Sequence, residues 1–316
     1  MVKHRIWAAA LLTTMTQVPA QAALDMAAMW NFNEPAQSEA RFRAALATAQ
    51  GDDALILQTQ IARSWGLRRE FARARELLLQ MQRPIPTQMP TQMPTPMQLR
   101  IQPQLSGAGS EAQVRYALEW GRTWASATHA PETQDEDARQ QARTAFATAL
   151  TIARQAKLDA LAIDAVHMLA FVDTTPADQL KWAQEALALA LASTQPAAQR
   201  WEASIRNNLG YALHQLGRHA EALAEFEQAV LLRQQAPEGS EKAARIRVAR
   251  WMVAWTLRSL QRESEALALQ LQLEADNDAA GAPDAYVFEE LETLYRSQGD
   301  EARALHYAQR RAALPK

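Results

Sequence analysis

Apolar residues recur with a helical period along most of the chain. Between Pro35 and Leu314 they follow spacings of three and four residues, which is the period of one face of an α-helix. Helix-breaking residues interrupt this pattern at short intervals. Alanine, the strongest helix former, is abundant, whereas only 10 of the 316 residues are glycine. The pattern and the composition together predict an all-α fold.

The clearest unit of this pattern spans residues 201–233. Gly217 ends its first helix, because glycine tolerates the left-handed conformation found at helix C-termini. Two small residues, Gly210 and Ala222, allow the two helix backbones to approach closely, and Phe226 fills the space beside them. A pair of helices this short cannot bury its apolar faces alone, so it must stack on similar units.

This unit resembles the tetratricopeptide repeat. The residues that match the pattern of that family are Leu209, Gly210, Leu213, Gly217, Ala222, Phe226 and Ala229. The resemblance implies a right-handed α-solenoid of stacked antiparallel helix pairs. It also implies an interaction scaffold that binds a peptide or protein partner in its concave groove, without catalysis and without a cofactor.

Weaker matches to the same pattern continue on both sides of this unit. They predict six helix pairs in all, preceded by a lone helix over residues 36–49. In the third pair, Ala170 occupies the position of Gly210, and Trp182 falls where a small residue is usual, so the register of that pair stays open. In the fifth pair, Gln261 replaces the turn glycine.

The first 23 residues have the layout of a secretory signal peptide. A short basic start precedes about ten apolar residues, and small residues follow at the spacing that a signal peptidase recognises. This predicts a periplasmic or secreted protein, whereas a start at Met26 or Met29 would leave it cytoplasmic. The predicted organisation is a signal peptide (1–23), N-terminal repeat-like helices (24–82), an insertion (83–109) and a helical array (110–316).

The insertion contains the tetrapeptide Thr-Gln-Met-Pro twice, at residues 87–94. Proline at this density excludes a helix, so a flexible linker is expected. The favoured interpretation is an expansion in a tolerated surface loop. Two alternatives are a peptide motif for a partner and a soft copper(I) site formed by thioethers. The methionines of that alternative are Met81, Met89, Met93 and Met97.

Charge and motif content exclude several classes of protein. With 33 basic and 35 acidic residues, the formal charge of −2 gives no electrostatic footprint for nucleic acid or an anionic membrane. The chain has no cysteine, no phosphate-binding glycine loop and no HExxH motif. Its histidines are dispersed and are interpreted as solvated or turn-capping. We therefore predict no enzyme activity, no metal site, no nucleic-acid partner and no membrane span.

The candidate binding residues centre on two tryptophans. Trp251 and Trp255 lie four residues apart and so share one face of a helix, which would line the groove if Val253 and Ala254 face the neighbouring helices. Tryptophan together with arginine is typical of binding hot spots. The other residues predicted to line the same strip are Arg258, Asn207, Tyr211, His214, His167, Phe171, Glu289 and Arg296.

Three alternatives remain open for this strip. The aromatic residues could simply pack long helices together, the region could form a pocket for a small molecule, or the chain could be a structural assembly subunit. The family's clamp for a C-terminal carboxylate uses lysine and asparagine, and here only Asn207 matches. That departure argues against a C-terminal carboxylate as the ligand.

Overall fold

The computed structural model describes residues 24–82, 105, 107–129, 136–239 and 241–314, with the backbone alone for 126–129. Within these residues the chain forms fifteen helices and no strand. The helices are α1 (Met26–Met29), α2 (Pro35–Leu46), α3 (Gly51–Leu67), α4 (Phe71–Met81), α5 (Ser110–His129), α6 (Glu136–Gln155), α7 (Asp159–Val172), α8 (Pro176–Ala192), α9 (Pro196–Gln199), α10 (Glu202–Gln215), α11 (His219–Gln235), α12 (Lys242–Ser259), α13 (Glu263–Ala279), α14 (Ala285–Ser297) and α15 (Glu301–Ala312).

Twelve of these helices form six antiparallel pairs that stack in chain order. The pairs are α3/α4, α5/α6, α7/α8, α10/α11, α12/α13 and α14/α15. The first helix of each pair is called the inner helix below and the second the outer helix, since inner helices also contact one another, as α3 does α5 and α5 does α7. The prediction of an all-α solenoid with six pairs after a lone helix is confirmed.

The turns inside four of the pairs share one geometry. Each inner helix ends with a backbone N–H bonded to the carbonyl five residues earlier, as Arg218 N bonds to Leu213 O at 3.0 Å. This is the Schellman arrangement, which requires a left-handed residue just after the helix. Gly217 has φ +73° there, and Gln261 takes the same conformation with φ +63°. The predicted replacement of the turn glycine by Gln261 is therefore confirmed.

A phenylalanine of the outer helix closes two of the pairs against a glycine of the inner helix. Phe226 is fully buried and lies over Gly210, where an added Cβ would stand 2.7 Å from the ring. Phe146 lies over Gly121 in the same way, and even closer. Because the glycine has no side chain, the ring reaches the backbone of the inner helix and fills the pair to the density of a core.

The pair α7/α8 departs from this arrangement. Ala170 takes the glycine position, and Ala186, which is sixteen residues later just as Phe226 follows Gly210, takes the phenylalanine position. The register left open by Trp182 is resolved by its neighbour. Ala183 is the buried residue, and Trp182 is half-buried with its Nε1 donating to Asp173 at 3.0 Å.

One hydrogen bond links distant parts of the solenoid. Asn33 Nδ2, between α1 and α2, donates to Glu241 Oε1 at the start of α12, at 3.2 Å. Packed helices lie about 8–10 Å apart, and several helix pairs separate these two residues along the array. The contact therefore requires the array to curve, which brings its N-terminal segment towards α12.

One end of the predicted 83–109 insertion is packed. Leu105 is buried in the N-terminal core and Gly109 N donates to Asp52 at 3.0 Å, so the packed chain resumes before the end of the insertion. These contacts join residues that are far apart in the chain, which the sequence pattern does not reveal.

Several sequence predictions fall outside the described residues. These are the signal peptide at 1–23, most of the insertion, and the methionines Met89, Met93 and Met97 of the copper alternative. Met81 lies within them and packs half-buried against the N-terminal core. In the part of the chain that is described, no helix combines the length and apolar character needed to cross a membrane.

We predict that Gly210→Ala lowers the free energy of unfolding by about 1–3 kcal/mol, because its methyl group would overlap the ring of Phe226. Urea unfolding measures the difference. The matched control is Gly66→Ala in α3, where an added Cβ meets nothing within 4 Å, and it should be neutral or stabilising. Equal effects of the two substitutions would show that the ring-on-glycine contact does not stabilise the pair.

Candidate functional site

Four aromatic rings from three inner helices form a continuous series, called the aromatic row below. Tyr211 of α10 lies 6.2 Å from Trp255 of α12, measured between ring centroids. Trp255 lies 5.7 Å from Trp251, which in turn lies 5.9 Å from Tyr286 of α14. Tyr211 is 41% exposed and Tyr286 65% exposed, and both tryptophans are half-buried. The row therefore links three helix pairs while keeping part of its aromatic surface accessible.

The orientation of the tryptophans follows from the residues between them. Val253 and Ala254 are buried against the neighbouring helices, as the sequence analysis required. Because Trp251 and Trp255 lie one turn apart on the same helix, their rings stack nearly parallel, with 16° between the planes. Sequence reasoning missed Tyr286, which begins the next inner helix and whose ring meets Trp251 edge to face.

His214 packs against the aromatic row and is buried, so the prediction that the histidines are solvated is wrong for this residue. Its ring stacks on Trp255 with centroids 3.4 Å apart. Its Nε2 lies 3.0 Å from Ser259 Oγ. Burial, together with the nearby His219 and Arg258, lowers the pKa of His214 to about 4. His214 is therefore a neutral packing residue at pH 7.

The charged residues predicted for the strip are engaged with partners inside the protein. Arg258 donates both Nε and Nη2 to Glu290, at 2.7 and 2.8 Å. Arg296 pairs with Glu292 at 3.0 Å, and Glu289 pairs with Arg311 of α15 at 3.3 Å. The bidentate pair fixes Arg258, since two parallel hydrogen bonds hold a guanidinium in one orientation. Arg258 is thus a structural link between α12 and α14 in the structure.

A cavity opens beside the row, between α7, α8 and α10, and is called the α7–α10 pocket below. Its volume is about 190 Å³. Its base is made of small or aliphatic side chains, and its walls include three aromatic rings. The lining residues are Val166, His167, Ala170, Phe171, Gln179, Trp182, Ala183, Ala186, Ile205, Asn208 and Tyr211.

Three of the predicted strip residues line this pocket: His167, Phe171 and Tyr211. The ring centroids of His167 and Phe171 lie 4.9 Å apart. His167 Nδ1 lies 3.2 Å from Asn208 Nδ2, and Trp201 approaches the same imidazole at 5.6 Å. Sequence reasoning missed Asn208, the neighbour of the predicted Asn207. It also missed the part played by Trp182, whose placement depends on how α8 packs rather than on a motif.

Three buried polar atoms in the strip have no hydrogen-bond partner among the described residues. They are Asn207 Oδ1, an acceptor, Trp251 Nε1, a donor, and His214 Nδ1. Asn207 and Trp251 occupy equivalent positions on adjacent inner helices. Buried polar groups in proteins are nearly always satisfied, so this pair marks a place where a bound molecule could add hydrogen bonds.

A buried ion cluster underlies the inner helices α3, α5 and α7. Arg122 donates to both oxygens of Asp164, at 2.6 and 2.7 Å. Arg63 Nη1 lies 3.3 Å from Glu119 and 3.8 Å from Asp164. Burial by itself would raise the pKa of Asp164, but Arg122 and Arg63 hold that pKa below its ordinary value. The two positive and two negative groups balance, so the cluster locks three helices together without net charge.

The ion cluster also affects the α7–α10 pocket. Burial lowers the pKa of His167; the carboxylate of Asp164 opposes this, and the guanidinium groups of Arg122 and Arg63 add to it. The imidazole is consequently neutral at pH 7. Over the described residues, no three His, Asp or Glu side chains come together as a metal site. What this surface offers is aromatic area, uncharged hydrogen-bonding groups and a small cavity.

These features define a helical-repeat protein whose inner helices carry the candidate site. The family model of the tetratricopeptide repeat matches residues 203–235, which cover nearly all of α10 and the whole of α11. The α10/α11 pair therefore forms a tetratricopeptide repeat.

Comparison with other proteins adds little to this assignment. No curated protein matches the chain. Among solved structures, BtubC (BKLC) from P. vanneervenii is similar, with 13% identity, 92% of this chain and 90% of that chain covered, and a TM-score of 0.37. NprR in complex with its cognate peptide NprX shows 11% identity, 92% and 88% coverage, and a TM-score of 0.41. These TM-scores are too low for either likeness to bear on fold or function.

We predict that the free energy of unfolding falls as the pH drops from about 6.5 towards 4, in part through His214. The unfolded histidine, with its ordinary pKa, binds a proton that the folded one excludes, so this contribution is complete above pH 6.5 and is lost below it. Between pH 7 and 5 the loss from this group is roughly 1–2 kcal/mol. His214→Phe keeps a ring on Trp255 and should show a correspondingly smaller pH effect in urea titrations. Identical pH profiles would contradict the neutral buried state.

A second prediction concerns the ion cluster. Arg122→Met leaves Glu119 and Asp164, which are 3% and 7% exposed, with only Arg63 to balance them. Breaking a buried pair in this way costs about 3–5 kcal/mol of unfolding free energy, measurable by urea denaturation. Arg218→Met, which removes an exposed pair with Glu221, is the control and should have no clear effect. A similarly small effect for Arg122→Met would mean that the cluster does not lock the helices.

Proposed function

We propose that this protein is an interaction scaffold that binds a peptide segment of a protein partner along its inner helices. The observation that carries the proposal is the aromatic row, which presents rings from α10, α12 and α14 as one surface. Aromatic residues supply large contact area with few rotatable bonds, and tyrosine and tryptophan dominate binding hot spots.

The polar groups of the strip suit a peptide backbone. Every residue of a peptide carries one N–H donor and one carbonyl acceptor. Asn207 Oδ1 can accept from such an N–H, and Trp251 Nε1 can donate to such a carbonyl, once either side chain turns towards the ligand. This combination favours a ligand with an extended, accessible main chain.

Preorganisation supports the same conclusion. Trp255 is held between the stacked rings of His214 and Trp251, and Arg258 is fixed by Glu290. A surface that is already ordered loses little conformational entropy when a ligand binds. The α7–α10 pocket, at about 190 Å³, is smaller than the 300–1,000 Å³ or so of typical small-molecule sites. A peptide is therefore favoured over a free small molecule.

The proposal predicts that peptides recovered from a random phage-displayed library with the unmodified protein depend on the aromatic row. Trp251→Ala combined with Trp255→Ala should weaken their affinity at least about 100-fold in calorimetric titrations, because two hot-spot rings are lost. Tyr211→Ala and Tyr286→Ala, which remove largely exposed rings, should each weaken binding about 5- to 30-fold while leaving the helical circular dichroism unchanged.

The control is the double variant Leu231→Ala with Leu271→Ala. Both leucines are exposed apolar residues on outer helices, and their removal should leave peptide affinity unchanged. Recovered peptides that bind the tyrosine variants as tightly as the unmodified protein would remove the aromatic row from the proposed function.

A further inference from the structure

The α7–α10 pocket exists because one helix pair lacks the ring that closes its neighbours. In α10/α11, Phe226 lies over Gly210, and its ring fills the space between the two helices. In α7/α8 the corresponding residues are Ala170 and Ala186. Replacing a phenyl group by a methyl group in a packed interior leaves a void unless the neighbours collapse into it. Here the neighbours have not collapsed, and both alanines line the cavity.

The short helix α9 lies near this space. It lies between α8 and α10 in the chain and packs on α7 as well as on α8. Trp201, directly after α9, places its ring 5.6 Å from His167. α10 packs mainly on α8, just as α12 packs on α11, and α7 and α10 approach each other only marginally. The gap between these two inner helices is the mouth of the pocket.

The walls of the pocket are aromatic surfaces. Trp182 is fixed by the bond from its Nε1 to Asp173, which is itself held by Arg143 at 2.7 Å. At the mouth, Phe171 is 40% exposed and Tyr211 is 41% exposed. Rings in this arrangement offer both faces and edges, which another aromatic ring prefers to meet edge to face or offset-stacked.

We propose that the α7–α10 pocket receives an aromatic side chain, a phenylalanine above all, from the peptide bound along the inner helices. The inference rests on the proposed function and specifies the residue type that anchors the peptide. The incoming ring takes the place that Phe226 occupies in the α10/α11 pair. Tyr211 belongs both to the pocket and to the aromatic row, so one ligand can contact both without interruption.

The pocket has no charged lining residue and therefore suits an uncharged side chain. No carboxylate, lysine or arginine is among its lining residues. His167 is neutral because of its burial and of the nearby guanidinium groups, as described above. Gln179, Asn208 and His167 supply a limited polar portion of the lining. A charged side chain would lose its hydration here without gaining an ion pair, so it is disfavoured.

The size of the pocket matches a single ring. Its volume of about 190 Å³ can be compared with engineered apolar cavities of about 150 Å³ that bind benzene. The pocket is smaller than the sites that bind drug-sized ligands, which have volumes of about 300 Å³ or more. A phenyl group entering it would bury apolar surface on the ligand and on the pocket walls together.

The test fills the pocket with the glycine and phenylalanine arrangement that already closes the α10/α11 pair. The double variant Ala170→Gly with Ala186→Phe recreates the Gly210 and Phe226 pair inside α7/α8. Peptides selected on the unmodified protein should contain an aromatic residue at one fixed position. Their affinity for the double variant should fall about 10- to 100-fold, since the site of that ring is filled.

A control variant accompanies it. Ala188→Phe adds the same ring at an exposed position of the same helix, outside the pocket lining, and should leave peptide affinity unchanged. The filled variant should unfold at the same temperature as the unmodified protein or higher, because a cavity has been replaced by packed atoms.

A complementary measurement does not depend on whether the filled variant folds. In a selected peptide, phenylalanine at the fixed position is changed to alanine or to glutamate, and each peptide is titrated against the unmodified protein. Affinity should fall about 10- to 100-fold with alanine and at least as far with glutamate. Peptides that depend on Tyr211 and Tyr286 but show no aromatic preference, or that bind the filled variant undiminished, overturn the pocket and leave the proposed function standing. Failure to select any peptide overturns both.

Discussion

The packing of an outer-helix ring against a bare stretch of inner-helix backbone is the contact on which this solenoid depends. Phe226 over Gly210 and Phe146 over Gly121 each join two helices that neither propensity nor length would keep in place. The ring requires the glycine, because any Cβ would overlap it. Short helices thereby obtain a core, and stacking of the pairs extends that core along the chain.

The inner helices divide into two parts with different physical character. In α3, α5 and α7, the half-buried Arg63 and Arg122 pair with the buried Glu119 and Asp164, and the charges cancel. From α10 onwards, aromatic rings occupy much of the inner surface and remain partly accessible. The first part gives rigidity through paired charges that must stay together once desolvated. The second part offers area that a partner can cover, and the α7–α10 pocket lies where the two parts meet.

The α7–α10 pocket forms where this contact between a phenylalanine ring and a glycine is missing. Where alanines replace the glycine and the phenylalanine, the pair α7/α8 is held instead by the aliphatic core around Ile163 and Val166 and by the bond from Trp182 to Asp173. This substitute keeps the helices together without filling the space between them. The missing ring in α7/α8 thus leaves a pocket that distinguishes this array from a stack of identical pairs.

Much of the fold could be derived from the sequence, because it depends on local periodicity and turn chemistry. The six pairs, the inner face of Trp251 and Trp255, and the left-handed conformation of Gln261 all follow from residues close together in the chain. Only the tertiary structure decided which side chains are free. It paired Arg258 with Glu290, buried His214 beneath Trp255, brought Asn33 to Glu241 and opened the α7–α10 pocket. These outcomes depend on the distance and angle between helices, which are set by packing across many residues and are not encoded in any one repeat.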